Sequence, residues 1–186
     1  MLKKSIMAMT VVGFIGAGTQ VMAGDTTVSL KAGNINGHND QSIQVNNDLY
    51  TVKDRTSPVI ITTDVELSRL GQGRVGIAMT TVAEKGFIRA GAGEETWFRN
   101  EASQTKNMTA YYSVGIGGML GELGNMPIVG AIDTRMSGLF QQYEASLTAT
   151  PYGSKLAYSV TADFSTYSFE IQKNTSSLLF GVGYTF

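Results

Sequence analysis

Cysteine is absent from this 186-residue chain, which removes disulfides, a thiol nucleophile and an N-terminal cysteine that could carry lipid. Histidine occurs once, at His38, so a zinc site would be poorly supplied with ligands. Positive charge is not in excess: 14 Lys and Arg stand against 15 Asp and Glu. No basic patch is laid out to follow a phosphate backbone, which argues against nucleic acid as a partner. Beyond the N-terminal segment, helical periodicity is not sustained and no apolar run reaches the roughly 18 residues that mark a spanning helix.

At the N-terminus, Lys3 and Lys4 precede an apolar run from Ile6 to Ala17, and Val21-Met22-Ala23 makes a small-residue cleavage site. This is the pattern of a secretory signal peptide, and the run is shorter than the ~20 residues a spanning helix needs. Removal of residues 1–23 is expected to leave one domain over 24–186, with 12 basic against 15 acidic side chains.

That domain alternates with period two. Val28, Leu30 and Ala32 oppose Ser29 and Lys31, and Val59, Ile61, Val65 and Leu67 oppose Thr62, Asp64, Glu66 and Ser68. Val75, Ile77 and Met79 oppose Gly76, Ala78 and Thr80; Ala110, Tyr112, Val114 and Ile116 oppose Tyr111, Ser113, Gly115 and Gly117. The stretch 128–135 alternates most weakly and 139–149 more clearly, and then Leu156, Tyr158, Val160, Ala162 and Phe164 oppose Ala157, Ser159, Thr161 and Asp163. The chain ends with Leu178, Phe180, Val182, Tyr184 and Phe186 on one face. In water, a strand of that kind would invite aggregation.

A soluble β-sandwich also alternates, but three features favour a closed antiparallel transmembrane β-barrel. The face opposite the apolar one is small and polar with single charges, as a narrow lumen requires. The connections differ in length: 33–57 and 94–107 are long and polar, whereas 71–73, 121–125, 136–138, 150–154 and 173–176 are short. The strand count comes to eight, and closure removes the greasy edge of the last strand. With a periplasmic N-terminus, the turns at 70–73, 121–126 and 150–154 share its side and the long stretches face outward. The third and seventh strands, 74–93 and 155–172, are nearly twice the ~9–11 residues a tilted strand needs. They are expected to protrude as a sheet at 85–93 and 165–172, the alternative being extra turns and ten strands.

The ending Phe180-x-Val182-x-Tyr184-x-Phe186 resembles the terminal signal of Gram-negative outer-membrane barrels. With the signal peptide and the strand rhythm, the chain is similar to the small eight-stranded group of OmpX, Ail and the OmpA membrane domain. The resemblance implies residence in the cell outer membrane, contact with outer-membrane lipid, and recognition of Phe180, Val182, Tyr184 and Phe186 by the barrel assembly machinery.

Projected inward, the charges are Lys31, Asp64, Glu66, Arg74, Asp133, Arg135, Glu144 and Asp163, with Arg89 and Glu170 expected above the lipid. Eight strands leave room only for side chains, and buried charges need partners, so an ion-pair network is expected to fill the lumen. The glycines around Gly91-Ala-Gly93 and Gly115-Ile-Gly117-Gly118 read as inward positions with no room for side chains, since no Lys-Ser/Thr follows to make a phosphate loop. Trp97 and Phe98 read as an interfacial anchor or a contact for an outside partner. His38 lies in a polar loop, and with Asp40 and Ser42 it is only loosely similar to the loop triad of barrel palmitoyl transferases. No His-x-Ser pair of the lipid A deacylase kind is present.

These readings point to a non-enzymatic outer-membrane barrel without cofactor or metal. It would serve envelope structure or adhesion through an extracellular protein or host ligand. The alternatives are a small pore for ions or solutes and a lipid-modifying enzyme.

Overall fold

Side chains that alternate in character make strands whose two faces suit different surroundings. Ten such strands are found in the described chain: β1 (Thr26–Ile35), β2 (His38–Val52), β3 (Val59–Ser68), β4 (Gly73–Ala83) and β5 (Gly86–Phe98), followed by β6 (Lys106–Leu123), β7 (Met126–Met136), β8 (Phe140–Ala149), β9 (Leu156–Tyr167) and β10 (Thr175–Thr185). The structure, a computed structural model, describes residues 25–35, 38–52, 58–68, 73–83, 86–98, 106–168 and 174–186. The proposed leader at 1–23 lies outside them, as does Glu170.

Every strand pairs antiparallel with its sequence neighbours, and β1 pairs with both β2 and β10, which closes the sheet into a barrel. At the seam Leu30 stands opposite Val182 on one side and Ile43 on the other. The Phe186 N–H donates to the Thr26 carbonyl at 2.9 Å. The last strand is therefore fully paired, and its apolar face belongs to a continuous outer wall. Ile88, Ile116, Phe180 and Leu120 on that wall are 58–68% exposed. The inner wall is polar, with Lys31, Asp40, Glu95, Asp133 and Arg135 all buried.

Antiparallel order sorts the connections into two ends. The termini share one end, here called the base, with the β2–β3, β4–β5, β6–β7 and β8–β9 connections. The other five connections lie at the rim. Between β6 and β7 the turn is only Gly124-Asn125, and Gly124 takes a φ of 62°, a left-handed conformation that two-residue hairpins demand.

Ten strands replace the expected eight, so the likeness to the eight-stranded group does not hold at the level of strand number. The stretch 33–57 is not one long outward connection: it holds the end of β1 and all of β2. Asn and Asp, poor strand formers, crowd β2, and a bulge between Asp48 and Tyr50 breaks its alternation. Its backbone nonetheless pairs with β1 over 38–47 and with β3 over 42–52.

The stretch 74–93 is likewise two strands, β4 and β5, joined at 84–85. Glu84-Lys85 carries none of the Gly, Asn or Pro signals of a tight turn. Ala92 consequently sits in the barrel wall between Ile77 and Tyr112, not on a raised sheet. Of the other extension, 165–172, β9 takes in the part up to Tyr167, and 169–172 lie outside the described residues. The 94–107 stretch shrinks as well, since β5 continues to Phe98 and β6 starts at Lys106. Two added strands also put Ser68 and Gly73, the ends of β3 and β4, at the rim, opposite the base turns at 124–125 and 150–155.

Candidate functional site

Each inward charge is set by strand parity, and its partner by register. On β3, β4 and β5 the inward residues Glu66, Arg74 and Glu95 stand side by side. Arg74 donates to Glu66 at 2.8 Å and to Asp64 at 2.9 Å. Lys31 on β1 reaches Glu66 at 3.8 Å, and the Ser42 hydroxyl donates to the same carboxylate at 2.9 Å. One layer of the lumen is thus bridged by β1, β2, β3 and β4.

A second layer crosses the opposite wall. Asp133, Glu144 and Asp163 occupy directly opposed positions on β7, β8 and β9. Like charges in that arrangement repel, and four contacts relieve them. Arg135 forms an ion pair with Glu144. Asp163 accepts from Ser177 at 2.8 Å and from Gln142 at 3.3 Å. Arg89 donates through Nε to Asp133 at 3.0 Å and forms an ion pair with it.

The last contact depends on a missing side chain. Gly115 lies between Arg89 and Asp133 in the register, and a Cβ there would overlap the Asp133 carboxylate. Glycine lets the guanidinium cross a whole strand. Gly93 acts similarly for Tyr111, whose hydroxyl oxygen would lie 2.7 Å from a Cβ at that position.

These layers do not fill the barrel. Toward the rim a cavity of about 70 Å³ is lined by Asp40, Glu66, Glu95, Asp163 and Tyr167 among others. Toward the base a cavity of about 270 Å³ is lined by Ser29, Asn46, Thr62, Tyr111, Ser146 and Ser159 among others. Both exceed the about 10–15 Å³ one water needs. Lys31, Arg74, Arg135 and Glu144 border both cavities and form the charged partition between them. Eight strands enclose a space that side chains fill, and diameter grows with strand number. Strand number is the physical reason the interior has room here.

Of the residues singled out in the sequence, Lys31, Asp64, Glu66, Arg74, Asp133, Arg135, Glu144 and Asp163 all line this interior. Arg89 lines it too, on the base side, and is not above the lipid. Phe180, Val182, Tyr184 and Phe186 are exposed on the outer wall, the last two with ring centroids 5.0 Å apart. Trp97 and Phe98 end β5 opposite Asn107 and Lys106, and their side chains lie outside the described residues. So does the side chain of His38, whose backbone begins β2 opposite Ile35 and is not part of a loop. Asp40 accepts from Ser68 at 2.7 Å and Ser42 donates to Glu66, which ties both into the lumen wall. Glu95, Gln142 and Ser177 were not singled out. The signal for Glu95 is its parity with Arg89, Gly91 and Gly93.

No protein-family model matches the chain, and no curated protein matches it. Among solved structures it is similar to a KdgM porin in complex with disordered oligogalacturonate, at 9% identity over 86% of this chain and 99% of that one, with a TM-score of 0.47. The NanC porin gives 10% identity over 87% and 99%, with a TM-score of 0.45. The outer membrane protein opdK from Pseudomonas aeruginosa gives 9% over 79% of this chain and 49% of that one, with a TM-score of 0.44, so this chain spans about half its length.

Proposed function

We propose that this chain is an integral outer-membrane barrel that serves as a narrow, non-enzymatic pore for ions and small hydrophilic solutes. The observation that carries the reading is the polar lumen, which holds two cavities that meet at one charged partition. An apolar outer wall around a fully paired sheet is what lipid tolerates, because no backbone group is left unsatisfied at an edge. The adhesion reading drew on a raised sheet and a long outward stretch; 86–93 of the one and 38–52 of the other lie in the barrel wall, while 169–172 and 53–57 lie outside the described residues.

Conductance of the purified protein in planar bilayers tests the reading. Reproducible open steps are expected, and a silent membrane containing folded protein would overturn it. Phe186 completes the outer wall at the seam, and we assign it to recognition by the barrel assembly machinery. Deletion of Phe186 is expected to block membrane insertion without blocking export; wild-type amounts of heat-modifiable barrel in the outer membrane would refute the assignment.

A further inference from the structure

We infer that the rim-side cavity is a binding and selection site for monovalent cations, including small primary ammonium ions, with Glu95 as the group that meets them; the selection part rests on the pore reading above. Five carboxylates line this cavity, Asp40, Glu66, Glu95, Glu144 and Asp163, against three basic side chains, Lys31, Arg74 and Arg135. Each of the three cations has a carboxylate partner, Lys31 and Arg74 with Glu66, Arg74 also with Asp64, and Arg135 with Glu144, while Arg74 Nε has no hydrogen-bond partner among the described residues.

Two acidic groups stand out. Asp163 is held by neutral donors, the Ser177 hydroxyl and the Gln142 amide. Glu95 is 7% exposed, and its Oε2 has no hydrogen-bond partner among the described residues. A buried carboxylate oxygen left in that condition is costly. Native structures satisfy such atoms, and an oxygen facing a cavity on the route of ions can be satisfied by what passes through.

The chemistry of the occupant follows from the donor set. Among the described residues no three Asp, Glu, His or Cys side chains are close enough together to hold one metal ion. A chelating divalent site is therefore not what the wall offers. Single carboxylates spread round a narrow passage act through their field instead, attracting a singly charged cation and repelling an anion, which is how acidic rings select in cation channels. Taking a cation in solvent-shielded surroundings strengthens the attraction further.

Two measurements test the inference on the full barrel. Reversal potentials in bilayers under a potassium chloride gradient should have the sign of cation preference for the wild type, and Glu95→Gln should reduce that preference several-fold. Thallium(I) binding, followed by NMR on the barrel in detergent micelles, should be detectable for the wild type, displaced by methylammonium and several-fold weaker in Glu95→Gln. Should Glu95→Gln lose the heat-modifiable folded form, Asp163→Asn replaces it in both assays with the same direction of change. Open steps without cation preference, or a preference unchanged by Glu95→Gln, overturn the site and leave the pore reading intact. A silent barrel that binds thallium(I) retires the pore reading and keeps the binding site. A barrel that binds none overturns the inference.

Discussion

On the rim side of the partition the lumen offers about 70 Å³ among five carboxylates, whereas on the base side it offers about 270 Å³ lined mostly by hydroxyls, amides and small residues. The same ten strands enclose both, so the difference comes from side chains. The long, charged residues project into the lumen and pair with carboxylates on adjacent or next-but-one strands, leaving little space. Ser, Thr and Gly on the base side stay at the wall. Mechanical closure and resistance to flow are thus concentrated at the charged level, and volume is concentrated below it. If that division is real, substitutions at the two levels should differ in kind as well as in size.

Arg74→Ala attacks the partition and should have the largest effect. It removes the shared partner of Asp64 and Glu66 while leaving both carboxylates and Glu95 facing one another. Breaking a buried pair in this way costs about 3–5 kcal/mol. The urea midpoint of the heat-modifiable barrel should fall accordingly. A midpoint equal to that of the wild type would mean that the partition contributes nothing to closure.

Gly115→Leu tests the same principle on the base side, where Arg89 and Asp133 form an ion pair across the glycine. A side chain at that position overlaps the Asp133 carboxylate, so the pair must open or the wall must shift. Overpacking of this kind typically costs about 1–3 kcal/mol. The expected loss is smaller than for Arg74→Ala because one ion pair is disturbed rather than a shared centre. A larger loss than Arg74→Ala would invert the ranking of the two levels.

The two levels also differ in how far the sequence discloses them. Fold class was legible because period two persists in most strands, and β9 illustrates it: Leu156, Tyr158 and Val160 turn outward and are 37–47% exposed, while Thr161 and Ser165 turn inward and are buried. Strand number was less legible. In β2 a bulge resets the period, and between β4 and β5 the sequence at 84–85 carries no turn residues, so tertiary pairing decided what local pattern did not. Partnership was least legible. Arg89 and Asp133 are 44 positions apart, and only the register of β5, β6 and β7 brings them together. The cavities follow from the strand count, so an eight-strand reading leads to a filled lumen and a ten-strand barrel does not.

The smallest effect, and the sharpest comparison, comes from two positions on one strand. Ser159 and Asp163 both face inward from β9, four residues apart; Ser159 lines the base cavity and Asp163 the rim cavity. Ser159→Ala deletes a hydroxyl that faces the base cavity, and a change of that kind is worth less than about 1 kcal/mol. Asp163→Asn alters no more atoms, yet it removes a charge from the carboxylate row on β7, β8 and β9. Stability should therefore be little changed by Ser159→Ala, and the reversal potential should not move at all, whereas Asp163→Asn should shift the reversal potential toward zero. Equal shifts from the two variants would show that selectivity is a property of the whole lumen, and the division at Arg74 would then describe the shape of the passage without describing its chemistry.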